Sequence, residues 1–189
     1  DGLSAVGFPS GVAGVPAEVI ESLSSLVMRR RELRPDSGGA GAWRGGLGQL
    51  TEFSNRAPGR WSVSCIVDRT RYSAPGLLGG KPGMAGEVFL EDGLRPNPKA
   101  QIELAADQVV HLNPPGGGGY GDPFERDPEF VRQVVIAWYV TPEAAARDYG
   151  VAVRFSGAKD ELVRLPHQWT IDKETTARIR RKPRMDDEK

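Results

Sequence analysis

Gly116, Gly117, Gly118 and Gly119 stand together in the segment PPGGGGYGD. Four residues without side chains could aim successive backbone N–H groups at a phosphate or another anion, as nests and helix N-termini do. No Gly-Lys-Ser/Thr follows to complete a phosphate-binding loop, and Tyr120-Gly121-Asp122-Pro123 interrupts where a dinucleotide fold would begin its helix. The spacing therefore favours a backbone path packed closely against another part of the chain or another subunit, with anion binding at Gly116 to Gly119 as the competing reading.

Three charged residues have the placement of site residues. Arg44 lies within WRGGLG, and Asp68 and Arg69 follow the apolar run SVSCIV. Each stands at a strand end beside a Gly-rich loop, where catalytic groups are often found; the alternative for each is a salt bridge or hydrogen bond that braces the loop. Other chemistry is disfavoured. Cys65 sits in an alternating apolar pattern with no His nearby in sequence, which fits a core thiol better than a nucleophile. His111 and His167 are far apart and lack ligand-like spacing to carboxylates, so His111 is read as a strand-edge residue and His167 as a tail residue, with no metal site in this chain. The basic runs Arg29 to Arg31 and ARIRRKPR read as solvated faces or subunit contacts.

The elements that must position these residues are short. PAEVIESLSSLVMRRREL opens with a Pro suited to a helix start, but Leu26 to Leu33 could equally be a strand. GQLTEFSN alternates like a strand. In WSVSCIVDR, the residues Trp61, Val63, Cys65 and Val67 share one face at period two, with Ser62, Ser64 and Ile66 on the other. GEVFL is a strand ending at an Asp-Gly turn signal, and QIELAADQVVHLN contains two more strands. DPEFVRQVVIAWYV and TPEAAARDYG are helices, capped by Asp127 and Thr141, each with Pro at the first helical position; Gly150 is the left-handed stop of the second. The fold class is α+β: a β-rich domain with Gly loops over residues 1–156, two short helices at its end, and a polar C-terminal extension over 157–189.

Composition sets the outer bounds. The chain has 189 residues, a formal net charge of zero, 24 glycines and 15 prolines. That charge balance disfavours nucleic acid and anionic membrane surfaces as partners. The glycines fall in separate clusters flanked by apolar residues, a pattern of ordered turns rather than of a flexible linker. One cysteine fits a reducing compartment, the cytoplasm, and the N-terminus has neither the basic nor the apolar region of a secretory signal. Asp1 in place of an initiator Met suggests a processed or cleaved product.

PPGGGGYGDPFERDPEFVRQVV and TPEAAARDYGVAV, preceded in order by DGLSAVGF with PAEVIE, ELRPDSGGAGAWRGGLG, DRTRYSAPGLLGGKPG and Pro98-Lys99, carry a specific likeness. Over roughly residues 1–153 the sequence resembles the C-terminal part of the hydantoinase B/oxoprolinase family. It departs from the family pattern at Ala106-Asp107, where Gly-Asp is usual, at Pro114, where Thr is common, and in the helix linker AWYVTPE. These departures bear on subfamily and substrate rather than on fold.

The resemblance implies a B-type subunit portion within a hetero-oligomeric, multi-subunit enzyme. Its partners would be an A-type, ATP-binding subunit and the N-terminal B-type portion or chain. ATP with Mg would be held by the A-type partner, and a divalent metal by His and Asp residues of the N-terminal B-type portion, with no cofactor in this chain. The reaction implied first is ATP-dependent hydrolysis of a cyclic amide such as 5-oxoproline or a hydantoin. The alternatives are a carboxylase similar to the acetone and acetophenone enzymes, or a non-catalytic assembly subunit with the same fold. Each of these readings expects the isolated chain to be inactive.

Overall fold

The computed structural model describes residues 1–6, 14–158, 160, 161 and 163–181. The end of DGLSAVGF and the final RKPRMDDEK of the tail, apart from Arg181, lie outside the described residues. The architecture is α+β, as the sequence predicts.

Helix α1, Ala17–Leu23, is followed at once by strand β1, Leu26–Leu33, so both readings of this ambiguous stretch apply, each to its own half. Ser24 ends the helix in an extended conformation, and the Met28 N–H donates to Glu21 Oε1 at 2.8 Å, folding the helix back toward the strand. Strand β1 pairs with β2, Gln49–Asn55; β2 pairs with β6, Val110–Asn113; and β6 pairs with β4, Glu87–Leu90. The result is an antiparallel sheet in the order β1-β2-β6-β4. A second ribbon joins β3, Trp61–Ser64, to β5, Gln101–Leu104. The side chains of Cys65, Val88, Leu90, Ile102, Leu104 and Val110 form the core between them.

The period-two reading of WSVSCIVDR assigns its faces correctly. Cys65 is buried, Trp61 and Val63 pack against the same core, and Ile66 is 84% exposed. The regular strand nevertheless stops at Ser64. Beyond it the Cys65 and Val67 N–H groups donate to the Ala100 and Pro98 carbonyls, so pairing continues irregularly.

A second core belongs to the helices. In α2, Pro128–Ile136, the Asp127 side chain accepts from the Glu129 N–H; in α3, Pro142–Tyr149, Thr141 accepts from the Ala144 N–H, and Gly150 ends the helix at φ 65°. Val131, Val134, Val135, Ala144, Ala145 and Tyr149 turn inward together. Asp36 ties this half to the Gly-rich loop after β1, accepting from both the N–H and the hydroxyl of Thr141 at 2.8 and 2.9 Å.

The polar extension is more structured than its composition suggests. Strand β7, Val153–Phe155, pairs with β8, Trp169–Ile171, and helix α4, Lys173–Arg180, follows under an Asp172 cap. Trp169 is 4% exposed and belongs to the helical core, and Thr176 is buried with its hydroxyl accepting from the Ala152 N–H. One aromatic and one isoleucine at period two anchor a segment whose remaining residues are polar enough to resemble a tail. No helix among the described residues is long and apolar enough to cross a membrane.

Candidate functional site

The four glycines lie inside a bundle of three Gly-rich segments, residues 37–48, 74–86 and 113–121. The N–H groups of Gly116, Gly117 and Gly119 donate to the carbonyls of Met84, Gly46 and Lys81 at 3.0, 2.8 and 2.9 Å. In return the Gly117 and Gly119 carbonyls accept from the Gly39 and Leu77 N–H groups. These donors face protein, not an anion. A Cβ at Gly116 would overlap the Ser37 carbonyl oxygen, and one at Gly118 the Pro75 carbonyl oxygen, so the two neighbouring segments approach to a distance that only glycine permits. This geometry leaves Gly116, Gly117 and Gly119 no free N–H with which to cradle a phosphate.

Arg44 lies at the inner side of this bundle and is 3% exposed. Its Nη1 donates to the Gly45 carbonyl, its guanidinium sits 5.3 Å from the ring centre of Tyr139, and its Nε lies 3.9 Å from Asp1 Oδ2. The same carboxylate is held more tightly by Arg126, which donates from Nη1 to Oδ1 at 2.5 Å and from Nη2 to Oδ2 at 2.8 Å, and also from Nη1 to the Ala42 carbonyl. Burial lowers the proton affinity of both guanidiniums and pushes the Tyr149 phenol up to about 12. The Nε atoms of Arg44 and Arg126 and the Tyr149 hydroxyl are buried with no hydrogen-bond partner among the described residues. Two cations and one anion thus knit the first residue, the glycine bundle and the start of the helical half into one unit.

Sequence reasoning picked Arg44 and missed Arg126, Asp1 and Tyr149. Arg126 and Asp1 are 125 positions apart, and no local spacing signals such a pair. The only cue was an arginine wedged between two acidic residues in PFERD.

Asp68 and Arg69 lie elsewhere, along an open cleft of about 800 Å³ lined also by Arg71, Tyr72 and Lys99. Lys99 Nζ donates to Asp68 Oδ1 at 2.5 Å, and that contact holds the Asp68 carboxyl below its ordinary range. Arg69 adopts φ 56°, an uncommon conformation for a residue with a side chain. The structure therefore does not bring Arg44 together with Asp68 and Arg69.

The remaining candidates have structural surroundings. Burial raises the Cys65 thiol pKa, opposite to what a nucleophile needs. His111 is not at a sheet edge, as the sequence suggested, because β6 runs between β2 and β4; its ring stacks on Phe89 at 4.4 Å, and its Nδ1 lies 3.4 Å from Glu52 Oε1. His167 occupies a 3₁₀ turn, Pro166–Gln168. Among the described residues, no group of three or more His, Cys, Asp or Glu side chains is placed to hold a metal ion.

Comparison with known proteins places this geometry in context. Residues 1–123 match the family model described as hydantoinase B/oxoprolinase. The caprolactamase subunit beta of Pseudomonas jessenii is 31% identical over 165 residues, 80% of this chain and 27% of that protein. The 5-oxoprolinase PfmaA of Pestalotiopsis fici is 31% identical over 115 residues, 56% of this chain and 9% of that protein. Among solved structures, the nucleotide-free acetone carboxylase, described under a mechanism of ATP-dependent acetone carboxylation, superimposes with a TM-score of 0.76 at 26% identity, over 95% of this chain and 28% of that one. The chain spans no more than 28% of the length of any of these relatives.

Proposed function

Because this chain belongs to the hydantoinase B/oxoprolinase family, we propose that it forms the C-terminal portion of a B-type subunit in a multi-subunit, ATP-dependent enzyme that opens a cyclic amide. The family match over residues 1–123 carries this reading. Hydantoin, 5-oxoproline and caprolactam, the compounds for which the family and its relative in Pseudomonas jessenii are named, are all cyclic amides. Amide resonance makes the ring carbonyl a poor electrophile. Phosphorylation of its oxygen would supply a leaving group, and the enzyme would then have to stabilise charge on oxygen as water adds.

Among the described residues no cluster of His, Cys, Asp and Glu side chains is placed to hold a metal, and the N–H groups of Gly116, Gly117 and Gly119 are engaged by carbonyls. We propose, from the family resemblance, that ATP with Mg is held by an A-type partner and a divalent metal by the N-terminal B-type portion, in a cytoplasmic assembly. The part left to this chain is scaffolding: the glycine bundle and the Arg44–Asp1–Arg126 cluster form a rigid body against which the reacting portion is held.

One observation favours a second reading. The superposition on acetone carboxylase covers 95% of the chain, which supports an ATP-dependent ketone carboxylase. The purified assembly containing this chain, supplied with ATP and Mg, separates the two. ATP-dependent appearance of ring-opened acid from hydantoin, 5-oxoproline or caprolactam is expected. Incorporation of labelled bicarbonate into a product of acetone instead would replace the hydrolase by the carboxylase, and the absence of both reactions would leave an assembly subunit.

A further inference from the structure

The open cleft that holds Asp68 and Arg69 has two walls. One is the segment after β3, where Asp68, Arg69, Arg71 and Tyr72 lie; the other is the turn from Asn97 to Ala100. The Val67 N–H donates to the Pro98 carbonyl at 2.9 Å and joins the two walls. The turn is braced from within, because the Lys99 N–H donates to Asn97 Oδ1 at 3.0 Å and the Ala100 N–H to the Asn97 carbonyl at 3.3 Å. On the first wall the Arg69 carbonyl accepts from the Gly86 N–H at 3.0 Å, and Arg69 itself adopts φ 56°. Glycine or asparagine would occupy that left-handed conformation more readily, so what arginine adds at this position is its guanidinium.

A smaller recess of about 320 Å³ adjoins the cleft, sharing Thr70, Arg71 and Pro98 with it and adding Glu87 and Arg95. Together the two are lined by four cationic side chains, Arg69, Arg71, Arg95 and Lys99, against two carboxylates, Asp68 and Glu87. Both carboxylates are engaged. Asp68 is bonded by Lys99 at 2.5 Å, and Glu87 lies 3.5 Å from Arg34 and 4.0 Å from Arg95. The side chains of Arg69 and Arg71 make no hydrogen bond or ion pair among the described residues. In a chain of zero net charge this excess is local, and a cleft lined by one sign of charge concentrates ions of the other.

We propose that this cleft binds a small organic molecule by an oxyanion group, a phosphate or a carboxylate, held by the guanidiniums of Arg69 and Arg71 with Lys99 beside them. A guanidinium presents paired N–H donors at the spacing of two oxygens of such a group, which suits it to this task better than an ammonium. Tyr72, 84% exposed, offers an aromatic face to the body of the ligand. The cleft volume of about 800 Å³ is that of a small-molecule site. This role goes beyond scaffolding and holds whichever ATP-dependent reaction the assembly performs.

Amide NMR of the full chain tests the assignment, with sodium phosphate and sodium succinate as the two probes and sodium chloride at equal ionic strength as the control. The expected result is a saturable shift of the Arg69, Arg71, Tyr72 and Lys99 amides with phosphate, succinate or both, and none with chloride; the tighter probe identifies the group that the site takes. Arg69→Asn and Arg71→Gln should each weaken that binding by about tenfold or more, the loss of a charged hydrogen-bond donor. Both side chains are exposed and unpaired among the described residues, so each variant should keep or raise the urea midpoint of the wild-type chain. Equal shifts with chloride, no saturable shift with either probe, an affinity that either substitution leaves unchanged, or a midpoint lowered by Arg69→Asn overturns the site.

Discussion

Tyr149 and Arg126 show how much the behaviour of single residues depends on burial. The Tyr149 phenol is raised from 10.0 to about 12, chiefly by desolvation. Below pH 10 the phenol is protonated in both folded and unfolded chains, and its contribution to stability is fully present. Between pH 10 and about 12 only the unfolded chain ionises, so the folded state loses about 3 kcal/mol across that window. Urea unfolding followed at pH 9, 10.5 and 12 should show this loss for the wild-type chain and a shallower one for Tyr149→Phe. Since the hydroxyl has no partner among the described residues, Tyr149→Phe should also be neutral or stabilising at pH 7. Arg126 behaves in the opposite way. Arg126→Met removes a bidentate partner from Asp1 and should cost about 2–4 kcal/mol in the same assay, while Arg126→Lys should recover only part of that, because an ammonium cannot make the paired contact.

At the scale of elements, the glycines divide into two kinds. Gly93 adopts φ 85° with open space around it, so Gly93→Ala should cost about 1 kcal/mol, the penalty of a left-handed backbone alone. Gly118→Ala must displace the Pro75 backbone and should cost more than about 3 kcal/mol or prevent folding, read as a shift in denaturant midpoint or as loss of folded chain. Thr141 both caps α3 and receives Asp36, and Thr141→Ala should cost about 1–2 kcal/mol. These cases explain what was legible. Caps such as Asp127 and Thr141 act over three residues, so their signals lie beside the helices they start. The β3 faces were legible for the same reason, through alternation. The Asp36–Thr141 clamp, the Arg126–Asp1 pair and the anchoring of β8 by Trp169 join positions distant in sequence. Composition around Trp169 is polar, so the element it secures reads as a tail.

At the scale of the whole molecule, the described residues form two hydrophobic cores, one under the sheets and one among the helices. The family was legible because several Gly-rich blocks recur in order, whereas the role of those blocks was not. Gly116 to Gly119 read in the sequence as a possible anion cradle, whereas in the fold the N–H groups of Gly116, Gly117 and Gly119 meet carbonyls. The catalytic expectation also belongs at this scale: the 189-residue chain alone should show no ATP-dependent turnover with cyclic amides or acetone, and activity should appear only in the complete assembly. The glycine bundle has a spectroscopic consequence as well. Beyond Asn113, which ends β6, its residues are neither helix nor regular strand, so far-UV circular dichroism will count them as unordered. Yet the Gly116, Gly117 and Gly119 amides are bonded inside closely packed backbone. In deuterated buffer their protons should exchange as slowly as those of the central strands, so that the part of the molecule with the least spectroscopic signature is among the last to open.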